Sequence, residues 1–575
     1  MIHVKDHKTR DMFSPFEHLG PKRLALMESS WAHLFREEIL HKLPVEPLFH
    51  LYDPLYGRRT KELYTLLGIV ILQQMEDLTD QQSIQQFAFN IMWHYALNVT
   101  DPADAASYVC PRTLWAMRDH VARIGLEQAL FENVTDTLAK LFTLDLSKQR
   151  LDSVHIFSNM AHLGRIRLFV KTIRKFLVNL KRHHAELYPS LGDLAARYEE
   201  RNDGRFAVKP SESSRTLETV GNDCFALIER FSGHAAVVAM SSYQFLLRLF
   251  NEQCLVEKSD GTAVVAVKPN KAVSSDSLQN PSDPDAGYCG HKGKGYQMQV
   301  METYSPENTQ PDLITHVMVE AAHASDAAAL LPALDDSEGR GLAPLELLAD
   351  SLYGGDDNVE AAKGRGVDLI SPAMGAKPQG ISLTEFAFSP SGQISACPQG
   401  QTPQHTKTSK RGGMIVHFDQ TACQACPKKA DCPVKPAKRS YTMHYDAKSL
   451  RLARRRAYEK TPEFHQKYRF RAGAEGTMSD LDRVTGIKRL RVRGMAQVRL
   501  AAVLKATGLN ILRATSFRNK QKNRQAPQPG EHQPKIRLLG GVKALFWRLQ
   551  AWLNQLPEKF SPLCRRVANS MPQMA

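Results

Sequence analysis

Asp350 closes an apolar run, Leu345–Ala349, and precedes a Tyr-Gly-Gly turn, whereas Asp152 falls inside the short stretch Gln149–Phe157, alternating with Val154 and Ile156. A carboxylate in such a place is costly unless it is solvated, paired or bound to metal. Both are therefore candidates for chemistry, with cap and turn roles as the plain alternative. A second set of ligand-type residues is Cys397-x25-Cys423-x2-Cys426-x5-Cys432. Four thiolates so spaced could hold a structural Zn²⁺ tetrahedrally, stabilising loops with little core of their own; free thiols are the other reading. His405 and His417 could substitute for Cys397.

The elements that must position these residues can be read from periodicity. After Asp350, the residues Asp356, Asp357 and Asn358 open a short helix that stops at Gly364 to Gly366, and Val367–Ile370 is a second apolar run. Strand, helix, strand makes a βαβ unit with parallel strands, and ligands of open α/β sheets gather beyond the carboxyl ends of such strands, where Asp350 lies. Upstream, Tyr296–Tyr304 and Leu313–Val319 read as strands and Asp326–Leu334 as a helix, with His323, Asp326, His183 and His184 as surface or capping residues. Between Asp152 and these strands come two helical stretches, about 165–188 and 217–256, and a polar loop over 259–294, the whole read as an insertion. Residues 1–145 read as entirely helical, with helices expected over Pro21–Lys42, Thr60–Met75, Asp80–Leu97 and Arg112–Val121. Such a set suits helix-turn-helix DNA binding or oligomerisation.

At 575 residues the chain is too long for one core, and its 42% hydrophobic and 23% charged residues are those of a globular protein. No run reaches the roughly 18 consecutive apolar residues of a membrane span. The start, MIHVKDHKTRDMF, has charges where a signal peptide needs an apolar core, so a cytoplasmic protein is expected. Nine cysteines do not make a disulfide framework in so long a chain, and Cys110, Cys224, Cys254, Cys289 and Cys564 read as packing residues. Charge is unevenly spread. Residues 451–575 carry 27 Lys and Arg against 7 Asp and Glu, whereas residues 1–450 carry 48 against 53. A basic concentration of this kind fits a polyanion partner, through counterion release. Arg518–Gln533 reads as a flexible linker and Val542–Leu556 as an amphipathic helix.

A family resemblance joins these pieces. LYDPLYGRRTKELYTL (Leu51–Leu66), LTDQQSIQQFAFNIMWHYALNV and PRTLWAMRDHV resemble the InsH-type N-terminal domain of bacterial insertion-sequence transposases, with Met117 where the last word usually has Phe. SDPDAGYCGHKGKGYQMQV (Ser282–Val300) and LADSLYG resemble words of the DDE catalytic domain in such enzymes. Tyr468, Arg471 and Glu475 have the spacing of the family's Y-R-E-K signature, whose Lys is replaced here by Asp482, with Arg483 adjacent. Phe470, Ala474, Met478 and Leu481 give that segment one apolar helical face.

The resemblance implies an α/β fold: a ribonuclease-H-like catalytic core over 146–515, interrupted by a mainly helical insertion at about 158–290 and a Cys-containing loop at about 390–440. An all-α domain (1–145) precedes it, and a basic linker and amphipathic helix (516–575) follow. It implies Asp152, Asp350 and Glu475 as catalytic ligands of two Mg²⁺ or Mn²⁺ ions, with Asp152 bridging both, Asp350 on one and Glu475 on the other. Two such ions, roughly 3.5 to 4 Å apart, activate the attacking oxygen and stabilise the leaving one in phosphodiester transfer, and hard Mg²⁺ needs only a few carboxylates. Tyr468, Arg471, Arg483, Lys488, Arg489, Arg491 and Arg493 are the expected DNA contacts, a structural Arg471–Glu475 pair being the alternative. The expected function is transposition: binding of terminal inverted repeats and target DNA, cleavage and strand transfer by a homodimer or larger assembly, with no membrane partner. A metal-dependent nuclease without strand transfer, or a catalytically silent DNA-binding descendant, are the rivals.

Overall fold

The computed structural model describes residues 1–9, 15–53, 56–199, 206–259, 262–375, 379–409 and 412–525. Met1–Arg518 form one compact unit and Asn519–Ala575 a second, in which Asn519–Gln525 are helical. The linker expected from Arg518 therefore begins as helix, while Val542–Leu556 and Cys564 lie outside the described residues.

The framework of the first unit is one mixed sheet. β1 (Lys148–Phe157) is followed by a hairpin of its own, β2 (Cys254–Ser259) and β3 (Thr262–Val267), and then by β4 (Gly287–Cys289), β5 (Gly293–Thr303), β6 (Ile314–Ala321), β7 (Glu346–Ala349) and β8 (Asp368–Ile370). β1 lies between β5, antiparallel from Gln149↔Thr303 to Phe157↔Gly295, and β7, parallel to it; β8 extends the parallel side. The other edge of β5 is shared by β6 and β4, both antiparallel. The helix Asp356–Gly364 supplies the parallel crossover expected between β7 and β8.

Both sheet faces are covered. Val154 and Ile156 of β1 pack with Val300, Leu481 and the helix Met495–Gln525 on one face, whereas Leu151 packs with Leu330, Leu334 and Ala362 of the two crossover helices on the other. The N-terminal helices are not a free-standing bundle: their core includes Leu500, Leu504 and Ile511 of the Met495–Gln525 helix, which thus has one face on the sheet and one on the N-terminal helices. Helices between β1 and β4 enclose a separate apolar core around Phe176, Phe231 and Leu246.

Several sequence expectations are corrected in detail. The Pro21–Lys42 helix is broken after Glu28, because the Ser30 hydroxyl caps Ala32 N–H and starts a new helix. The Asp80–Leu97 helix is split at Asn90, whose extended backbone and side chain cap the segment beginning at Ile91. The stretch 217–256 ends as β2, and the polar loop 259–294 contains β3 and β4; pairing between strands, invisible in a local window, decides both. The Cys-containing loop is not loop alone. His405–Thr408, Met414–Phe418, Lys435–Pro436 and Tyr441–Tyr445 form a four-stranded sheet. Alternate residues of it, Val416, Phe418, Tyr441, Met443 and Tyr445, build a core with Phe386 and Ile394. Among the described residues no helix is long and apolar enough to cross a membrane.

Candidate active site

Register places the two aspartates. Leu151 of β1 pairs with Ala349 of β7 in parallel, so the next residue on each strand, Asp152 and Asp350, emerges side by side. The third acid arrives on the helix Ala472–Thr485. One guanidinium gathers the set: Arg471 donates to Asp152 Oδ2 (2.7 Å) and to Glu475 Oε1 (3.0 Å). The Asp152 side chain is only 14% exposed and that of Glu475 is 70% exposed, so the site has a buried floor and an open side. Burial pushes the Asp152 carboxyl above its usual range, Arg471 opposes this, and the charges of Asp350 and Asp326 add to it. Burial alone would lower the Arg471 pKa, but Asp152, Tyr468, Asp350 and Glu475 together hold it raised. Tyr468 stacks on Phe464 (centroids 5.1 Å apart) and its hydroxyl is pushed up by burial, against Arg471 and with Asp350 and Asp152.

A buried network that the sequence did not advertise fixes this helix to the sheet. Arg150, on the same face of β1 as Asp152, donates Nε to Glu302 (2.7 Å), its cross-strand partner, and a terminal nitrogen to Phe470 O (3.1 Å). Glu302 also accepts from Thr477 (2.7 Å) and Arg513 (2.8 Å). The close approach requires glycine: a Cβ at Gly473 would collide with the Arg150 guanidinium. The segment 470–477 is thereby held from beneath, leaving Arg471 to reach both Asp152 and Glu475. Arg150 and Glu302 read in sequence only as charged residues within strands; the signal is that such residues need partners.

Residues 396–515 match a family model described as a transposase DDE domain. The match supports a transposase-type function and, with the mixed sheet, a ribonuclease-H-like core. It contains Tyr468, Arg471 and Glu475 but neither aspartate; register sets Asp152 beside Asp350, and the Arg471–Asp152 pair ties them to the matched segment. No curated protein matches the chain.

DDE domains work with divalent ions, and the donors fit: clustered carboxylate oxygens, the ligands hard cations prefer, in excess over the single guanidinium among them. Among the described residues no three His, Cys, Asp or Glu side chains stand ready as a metal cage. Arg471, between Asp152 and Glu475, supplies positive charge there instead.

The expected DNA contacts divide into two kinds. Arg491 makes a two-pronged pair with Asp77 (2.8 Å each), joined by the buried Lys505 (2.7 Å), so it fastens the N-terminal helices to the core. Arg489 is exposed and Arg493 is exposed, its guanidinium beside Met160; Arg483 pairs with Asp480 and Lys488 with Asp482, both at the surface. Lys292, also exposed, reaches Ser153 Oγ at 3.4 Å, next to Asp152. The SDPDA word serves structure: buried Asp283 accepts from Ser158, Tyr296 and Gly494 N–H, and Asp285 accepts from Met495 N–H at the start of the last helix.

The cysteines of 397–432 converge. Cys397, Cys423 and Cys432 pack against one apolar core, and Cys423 is pushed up to about 11 by burial and by the neighbouring Cys432, Cys397 and Cys426. His405 and His417 stack on each other at 4.1 Å on the adjacent strands.

Proposed function

We propose that this chain is the DDE transposase of an insertion sequence, binding the element's terminal inverted repeats and carrying out metal-dependent cleavage and strand transfer into target DNA. The observation that carries the reading is the meeting of Asp152, Asp350 and Glu475 around Arg471, from positions 198 and 125 residues apart. Asp152, Asp350 and Glu475 would hold two Mg²⁺ or Mn²⁺ ions, which when bound activate the attacking oxygen and stabilise the leaving oxygen. Arg471, beside Asp152 and Glu475, would present its fork to the scissile phosphate, a geometry Arg suits better than Lys. Tyr468, beside it, and Arg483, Lys488, Arg489 and Arg493 give the adjoining surface its affinity for backbone phosphates. Arg491, held by Asp77, belongs to the scaffold in this reading.

Cys397, Cys423, Cys426 and Cys432 would hold a structural Zn²⁺ within the small sheet; closing the cage requires the thiols to turn toward one another and lose their protons. Synapsis of two element ends calls for a dimer or larger assembly, acting in the bacterial cytoplasm. A catalytically silent DNA binder is the second reading, favoured by Asp482 at the signature's lysine; Lys488, 3.3 Å from Asp482, supplies a cation to the same patch and speaks against it. A nuclease lacking strand transfer would cut but leave no joined product.

The test is cleavage and joining of a labelled terminal-repeat duplex in Mg²⁺ or Mn²⁺. Wild type should nick at the repeat end and join it to a target duplex, while Asp350→Ala and Glu475→Gln bind the duplex but cut at least ~10³-fold more slowly. Equal binding with no cutting by any of the three would move the silent binder ahead.

A further inference from the structure

Residues 1–450 carry more acid than base, 53 Asp and Glu against 48 Lys and Arg, yet cations crowd one part of the N-terminal helices. A cavity of about 260 Å³ there is lined by His3, Lys5, Arg59 and Lys61. Lys61 Nζ donates to Asp104 O (3.0 Å) and Ala105 O (2.6 Å), and so holds the segment that leads into the helix Pro111–Ile124. Burial, and then the charge of Arg59, lowers the pKa of His3; burial, and then Arg58, does the same to Lys61. The two acids that line the cavity are engaged elsewhere. Glu62 accepts from Thr65 N–H (2.7 Å) and pairs with His7 (3.3 Å), and Asp101 accepts from Ala103 N–H (2.8 Å). Arg58, Arg59 and Arg112, all exposed, have no carboxylate partner among the described residues.

Two contrasts set this patch apart from an ordinary solvated face. The helix Pro111–Ile124 buries Leu114, Met117 and Val121 in the N-terminal core, and on it Arg118 and Arg123 are paired, with Asp80 and Asp119. Arg112 is left unpaired, and Trp115, three residues on and so its neighbour on the helix surface, is 58% exposed. Tyr108, which leads into this helix, and Tyr56, two residues before Arg58, are exposed as well. An unpaired guanidinium and an indole on one outward helical face suit the major groove of a duplex, which offers acceptors and thymine methyls on its floor and phosphates at its rims.

We propose that this patch is a second DNA interface, distinct from the basic stretch near Glu475: the helix Pro111–Ile124 enters the major groove of the terminal repeat with Arg112 and Trp115 on base edges, while Arg58, Arg59 and Lys61 hold the flanking phosphates. The proposal rests on the terminal-repeat reading above and adds to it the surface that recognises the repeat. The helix Leu63–Met75 runs 13 residues from this patch toward Asp77 and Arg491, about 20 Å or roughly six base pairs, a span that one duplex covers.

The experiment is binding of the full-length chain, without divalent metal, to a terminal-repeat duplex and to a scrambled duplex of equal length over a salt series. Arg112→Lys keeps the charge but loses the fork, so it should retain the wild-type salt slope and lose about 10- to 100-fold of the preference for the repeat. Arg59→Ala should weaken binding to both duplexes and lower the slope of log affinity against log salt by about one. Both side chains are exposed, so unfolding temperatures should stay near wild type. Wild-type preference and slope in both variants, with the slope lowered in Arg489→Ala, overturns the inference and leaves DNA binding standing. A wild type that binds the repeat no better than the scrambled duplex overturns recognition of the repeat along with it.

Discussion

Two arginines of the C-terminal basic region meet carboxylates in opposite proportions. Arg471 alone faces Asp152 and Glu475, with Asp350 and Asp326 nearby, and Glu475 is largely in solvent. Arg491 shares the single carboxylate of Asp77 with Lys505, whose side chain is 2% exposed. Where acids outnumber cations beside an open side, the structure has room for a ligand's positive charge. Where two cations close on one acid and one of them is buried, it has a fastening. Net charge does not separate the two cases, since both arginines belong to the same basic stretch; the partners do.

The comparison breaks most visibly through stability. Asp77→Ala leaves Lys505 buried without its carboxylate, which should cost about 3 to 5 kcal/mol in denaturant unfolding. Arg471→Ala should cost under about 1 kcal/mol, since it also relieves burial of its own charge, yet slow repeat-end cleavage by about 10²-fold or more. A reversal, with Arg471 the stability residue and Asp77 the cleavage residue, would end the distinction drawn here.

A pH series sharpens it. Burial would raise the Asp77 carboxyl, but Arg491 and Lys505 hold it below its usual value, so its stabilising contribution is present above the unfolded pKa of about 3.9 and fades as pH falls through the lowered folded value. Asp152 is shifted the other way. Its folded value lies above the unfolded one, so the fold binds its proton more tightly, and stability falls as pH rises from about 4 through the raised value. Asp152→Asn should therefore raise the metal-free unfolding temperature at neutral pH relative to wild type, with the gap closing near pH 4. A gap that instead widens on acidification would contradict the assigned shift.

The smallest effect concerns DNA affinity. Arg489→Ala and Arg493→Ala should each lower the slope of log affinity against log salt by about one, measured on a terminal-repeat duplex, because each would remove one phosphate contact. Arg491→Ala, its guanidinium engaged by Asp77, should leave the slope nearly unchanged.

Much of the core was legible because its elements are periodic and locally bounded. The apolar run before Asp350, the acidic helix start at Asp356 and the glycine stop at Gly364 to Gly366 are local signals, and β7, the helix and β8 follow them closely. The small sheet around Cys423 was not legible: its strands are two to five residues long and separated by Pro- and Gly-rich turns, so only their pairing reveals the alternating core. The partner of Asp326 was illegible for a related reason. A helix-first aspartate looks the same in sequence whether its oxygens face water or a buried glutamine.

The sequence by itself determined that two aspartates end or interrupt strands, that Glu475 lies on a helix, although Tyr468 ends the helix before it and Arg471 closes the 3-10 turn between, and that basic charge gathers in the last fifth of the chain. These depend on residue type and on spacings of a few residues, which propensity and periodicity fix locally. Only the tertiary structure decided that Leu151 aligns with Ala349, that Arg150 and Glu302 draw the Glu475 helix down onto β1, and that Arg491 faces Asp77. Those choices join residues tens to hundreds of positions apart. They are settled by the burial of both faces of one sheet and by the need of each enclosed charge for a partner, neither of which a local stretch of sequence contains.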